Sequence, residues 1–121
     1  MEEKVQKEFD HVFGSFAKSY RRSFAAVKKQ FAALIEEKPA LLKHLLYDRH
    51  NGCLEFSFEN AQDGCDYAGF GYSPETGYSS EYGFFCTWRD EKGYRAAFSK
   101  SLKTAYDRFC KNCQPTVSHL I

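Results

Sequence analysis

The apolar side chains of the N-terminal segment fall at Val5, Phe9, Val12/Phe13, Phe16, Tyr20, Phe24, Val27, Phe31 and Leu34/Ile35. Steps of three and four repeat without a slip from residue 3 to residue 37, the pattern of one apolar stripe along an α-helix. A stripe of this length has to be buried, so the rest of the chain must supply a surface for it. An unbroken helix of that span would be roughly 50 Å long, which is long for a chain of 121 residues. Gly14 and Ser23 weaken it. The segment is therefore expected either to bend or to split into two helices near Ser19 to Ser23. Lys38-Pro39 stops it, because the residue before proline disfavours helical backbone.

The remainder divides into short elements. "PALLKHLLYD" reads as a short second helix with Pro39 in its first turn and Leu41, Leu42, Leu45 and Leu46 on its stripe. "RHNG" is a turn, with Asn51-Gly52 supplying positive φ cheaply. "CLEFSFE" alternates strictly, Leu54, Phe56 and Phe58 against Glu55, Ser57 and Glu59, which is a half-buried strand. "NAQDG" is a loop, "CDYAGFGYS" a second strand, "SPETG" a turn and "YSSEYGFFCTWRD" a third strand. After the loop "DEKG", residues 94 to 111 read as a last helix, with Phe98, Leu102, Ala105 and Phe109 on one stripe, and the tail as extended.

Helices and strands in runs rather than in alternation indicate an α+β fold. The expected architecture is a long N-terminal helix, broken or bent, a short second helix, a three-stranded antiparallel meander, and a C-terminal helix packed on one sheet face. The length fits one domain, 1–121, with no internal boundary. Hydrophobic residues at 43% and charged residues at 27% are the balance of a folded domain rather than a disordered one. No apolar run approaches the eighteen residues of a membrane span, and the start "MEEKVQKEFD" lacks the basic and apolar regions of a signal peptide. A cytoplasmic chain is expected, with Cys53, Cys65, Cys86, Cys110 and Cys113 reduced.

No motif names a reaction. "HNGC" (His50, Cys53) and "CKNC" (Cys110, Cys113) have the spacing with which one turn offers two ligands to zinc. The two pairs would have to meet in space, and buried thiols acting as small hydrophobes are the favoured reading, with no cofactor. There is no Gly-x-Ser-x-Gly elbow and no glycine loop in the strand-to-helix context that holds phosphate. His11, His44, His50 and His119 show no patterned serine or cysteine partner. Gly69 and Gly71 share a strand face and are expected to make room for a bulge or for rings crossing them. The chain is therefore not expected to be an enzyme.

Charge is distributed unevenly. Between His50 and Trp88 there is no Lys or Arg and six carboxylates, Glu55, Glu59, Asp63, Asp66, Glu75 and Glu81, whereas the net charge of the whole chain is +1. Residues 68 to 88 also hold seven aromatics. Phe70, Tyr72, Phe84 and Trp88 serve a core. Glu55, Glu59, Asp66, Tyr67, Glu75, Glu81 and Phe85 are assigned to a second, acidic and Tyr-bearing face that docks a protein partner, since tyrosine and complementary charge favour association. Lys18, Arg21, Arg22, Lys28 and Lys29 form a basic run on the first helix, but a solvated helix face has the same look, and nucleic acid is not the expected partner. No membrane partner is expected, and the chain should be a monomer or weak dimer.

No family motif is present. In general make-up alone the chain resembles small bacterial inhibitor proteins such as toxin-immunity proteins, which implies neutralisation of a basic toxin or nuclease by occlusion. Two alternatives stay open. One is a phage-type nucleic-acid mimic that inhibits a host defence complex. The other is a basic-helix nucleic-acid-binding module with a Cys/His zinc site.

Overall fold

A computed structural model of the chain describes residues 1–58, 68–74 and 83–113. The N-terminal stripe is split into α1 (Glu3–Tyr20) and α2 (Ala25–Glu37). Arg21 takes left-handed backbone, φ 55°, and its N–H and that of Arg22 bond to Lys18 O and Ala17 O. Phe24, φ 48°, is also left-handed and starts α2. The rings explain the break. In one straight helix Phe16 and Phe24 would lie about 12 Å apart along the axis. Across the elbow their centroids are 4.9 Å apart, and Tyr20 meets Phe24 edge-on at 5.7 Å. Folding back buries both halves of a stripe that a rod would have left partly in water.

α2 ends at Lys38-Pro39 as expected, but the next segment corrects the sequence reading. Pro39–His44 is a 3₁₀ turn, and Leu45–Asp48 is strand β1 rather than helix. Leu45 and Leu46 consequently point to opposite sides: Leu45 is buried and Leu46 is 39% exposed. The pairing with β2 (Cys53–Ser57) outweighs the helix preference of leucine, because it satisfies the backbone of both strands. The Asp48 carboxylate accepts from the backbone of His50 and Asn51 at 3.0 and 3.2 Å, and Gly52 sits at φ +71°.

β3 (Gly69–Tyr72) and β4 (Phe84–Asp90) follow as expected strands. The second correction is β5 (Gly93–Ser99), a strand where residues 94 to 99 read from sequence as the start of the last helix. A two-residue turn at Glu91-Lys92, with Gly93 at φ +111°, folds β5 back on β4 over seven pairs from Asp90↔Gly93 to Phe84↔Ser99. The Asp90 carboxylate fixes this turn by accepting from Lys92 N at 2.8 Å and Arg95 Nε at 3.2 Å. Helix α3 starts only at Leu102 and runs to Asn112. Ser101 caps it, its hydroxyl accepting from Thr104 N.

The sheet is a five-stranded antiparallel meander in the order β1-β2-β3-β4-β5, two strands wider than expected. Helices α1, α2 and α3 all contribute to the core on one face. Phe31 of α2 stacks on Phe56 of β2 at 5.4 Å, and Phe109 of α3 meets Phe58 and Phe70 at 4.9 and 5.1 Å. Phe16 of α1 meets Tyr47 and Tyr72. Phe9, Phe16, Phe31, Phe56, Phe70 and Phe109 are fully buried, so the aromatic surplus of the composition is largely core. Gly69 and Gly71 answer to the backbone of β2 rather than to rings. A Cβ on Gly69 would stand 2.6 Å from Phe56 O, and one on Gly71 would collide with Leu54 O and Glu55 Cα.

Candidate partner-binding surface

The strand registers line up one residue from each strand on the sheet face opposite the helices: Leu46, Glu55, Gly71, Phe85 and Phe98. The same alternation adds Thr87 and Ala96, then Arg89 and Tyr94, toward the β4–β5 turn. Phe85 is 7% exposed, and Phe98 is partly so. The rim is different. Leu46, on one edge strand, is 39% exposed and Tyr94, on the other, is 62% exposed. Among the described residues these and the terminal Met1 are the exposed large hydrophobics, and both strand residues lie on the helix-free face.

Of the residues assigned from sequence to a docking face, Glu55 and Phe85 are brought to this one, on either side of Gly71. Glu55 is half-buried. Glu59, Asp66, Tyr67, Glu75 and Glu81 lie outside the described residues. Leu46 and Tyr94 were not found from sequence because both segments carry a helical spacing of apolar residues. The signal that could have found Tyr94 is Gly93 after Glu91-Lys92, a two-residue hairpin with glycine at its exit.

The four cysteine and histidine residues considered for zinc do not assemble. His50 and Cys53 belong to the β1–β2 hairpin, and Cys53 faces the helix-free side of the sheet. Cys113 is fully buried in the core on the other side. No group of three or more metal-ligating side chains occurs among the described residues. Burial also makes the Cys53, Cys86 and Cys110 thiols poor nucleophiles. Burial pushes the Cys53 thiol up to about 11; the nearby Ser73 hydroxyl opposes this, and the Glu55 and Asp48 carboxylates add to it. Burial likewise raises Cys86 and Cys110. Among the described residues the Ser73 hydroxyl is itself buried without a partner in good hydrogen-bond geometry.

His44 is half-buried, stacks on Phe58 at 4.1 Å and places Nδ1 3.2 Å from Ser57 O. Burial lowers its pKa, the Ser57 contact opposes that, and Lys43 adds to it. The ring nitrogen of His44 thus faces a backbone oxygen rather than a hydroxyl or thiol. No helix is long and apolar enough to cross a membrane among the described residues.

Comparison of the chain with known protein families, with curated proteins and with solved structures finds no match.

Proposed function

We propose that the chain is a small binding protein that captures and neutralises a partner protein on the helix-free face of its sheet. One observation carries the reading. Leu46 and Tyr94, large apolar side chains left in water by an otherwise well-buried set, stand at the two rims of that face. Exposed apolar groups placed on one face are what an interface core uses, and tyrosine supplies contact area at small entropic cost. Glu55 lies in the same row, within a stretch from His50 to Trp88 that contains six carboxylates and no Lys or Arg.

That balance selects a basic partner surface, and a nuclease-type toxin is the partner class we assign. Neutralising it requires occlusion and no chemistry. The edges of the face would make the first contacts, because Phe85 at its centre is already packed.

The test is capture from the cells that produce the protein, with wild type and two variants side by side. Leu46→Asp/Tyr94→Asp alters the rims, and Arg21→Ala/Arg22→Ala alters a surface elsewhere. The expected result is one partner recovered in near-stoichiometric amount by wild type and by the arginine variant, and lost from the rim variant. Recovery of that partner by the rim variant would refute the proposal.

A further inference from the structure

A second surface lies at the end of the molecule where the α1–α2 elbow meets the β1–β2 turn. The Tyr20 hydroxyl donates to Gly52 O at 2.8 Å and ties the two segments together. Phe16 reinforces the joint by packing on Tyr47 at 5.8 Å. Lys18, Arg21 and Arg22 come from the elbow side and Arg49 from the turn, and all four are exposed. Read along the first helix alone, the sequence leaves out Arg49, which only the fold delivers here. It also overcounts, since Lys28 is committed to Asp10 at 3.4 Å.

Two of the guanidinium groups are held over rings. Arg22 lies 4.4 Å from the Phe24 centroid and Arg49 lies 5.9 Å from that of Tyr47. A guanidinium seated on a ring keeps its edge donors free and loses less entropy when it meets an anion. Among the described residues none of the four cations has a carboxylate within ion-pair distance. Asp48, the acid at the end of β1, spends its oxygens on His50 N, Asn51 N and Asn51 Nδ2. The first turn of α2 adds to the positive field: it has no acidic residue and no side-chain cap. An open depression of about 440 Å³ lies there, between Arg22, Phe24, Ala26 and Tyr72.

We propose that this basic end docks the phosphodiester backbone of a nucleic acid, independently of the partner face and without reading sequence. Four exposed cations on two joined segments, none ion-paired to a carboxylate among the described residues, supply phosphate contacts, and counterion release would drive the binding. A lipid surface fits less well. Peripheral membrane binding joins cations to exposed apolar side chains, and among the described residues the exposed large hydrophobics, Met1, Leu46 and Tyr94, belong to neither the elbow nor the turn.

The experiment is fluorescence anisotropy of a labelled oligonucleotide of about 20 nucleotides with the full chain, repeated across salt concentrations. Binding with Kd of about 10⁻⁴ to 10⁻⁶ M is expected at low salt, with a log–log slope of about −0.7 per phosphate contacted. Arg21→Gln/Arg22→Gln/Arg49→Gln should weaken it at least about tenfold and flatten the slope, at roughly one contact per arginine. Lys4→Gln/Lys7→Gln/Lys103→Gln, which removes equal exposed charge elsewhere, should leave it unchanged. Circular dichroism checks that each variant is folded, and single-arginine variants replace the triple if it is not. Absence of binding, or arginine variants with unaltered affinity and slope, would overturn the proposal. So would arginine-dependent binding to phosphatidylserine vesicles by a chain that ignores the oligonucleotide.

Discussion

The Tyr20 hydroxyl sits 2.8 Å from the carbonyl oxygen of Gly52, at a place where a side chain on Gly52 would strike that same hydroxyl. One contact thus joins the end of α1 to the β1–β2 turn and also excludes any larger residue from the turn. Gly52 is constrained twice, since its φ of +71° is a conformation that L-residues adopt at a cost. Tyr20→Phe should destabilise the fold by about 1 kcal/mol, the net worth of one hydrogen bond. Gly52→Ala should cost about 1–3 kcal/mol from strain and collision. The pair should be less than additive, because removing the hydroxyl relieves the collision. Urea unfolding of both single variants and the double variant measures this, and strict additivity would show that the two residues do not meet.

Gly71 makes a parallel case within the sheet. Its missing Cβ is what lets β3 approach Leu54 and Glu55 of β2. Gly71→Val, which a generic strand would tolerate, should cost at least about 2 kcal/mol here. Thermal unfolding reports it, and a Tm equal to wild type would contradict the β2–β3 register.

How much of this was legible in the sequence depends on which force decided each element. The N-terminal helical stripe and β2 follow from apolar periodicity, the expectation that the stripe bends or splits from its length, and the stop at Lys38-Pro39 from backbone chemistry. Leu45–Asp48 and Gly93–Ser99 did not follow, because their side chains read as helix and their conformation is set by pairing with β2 and β4. Long-range pairing leaves little local trace in four leucine-rich residues, or in seven with two alanines and no β-branched side chain. The same misreading hid Leu46 and Tyr94, whose exposure depends on being in strands. Glu55 was found because strict alternation fixed its face.

Burial of the thiols makes a reactivity prediction. With the Cys53 thiol pushed up to about 11, its thiolate fraction near pH 8 should be about a hundredfold below that of a thiol at 9. In a Cys65→Ser background, which removes the one cysteine outside the described residues, labelling by iodoacetamide should be slow and should accelerate sharply in urea. Rapid labelling of Cys53 in the folded chain would contradict its environment.

His44 links stability to pH. Its folded pKa is lowered, first by burial, so the unfolded chain takes up a proton more readily than the folded one. Its contribution is fully present above the unfolded pKa of about 6.5. It is progressively lost as pH falls from there toward the folded value. Tm should therefore drop between pH 7.5 and 5.5 by more in wild type than in His44→Gln. Equal drops would remove His44 from the account.

The central claim, that the helix-free face meets the partner, is tested most directly by hydrogen exchange on the purified complex with the captured protein. Amides of β1 and β5, the strands that carry Leu46 and Tyr94, should be the most strongly protected on binding, with those of α1 and α2 unchanged. Protection confined to α1 and α2, with β1 and β5 exchanging as in the free chain, would contradict it.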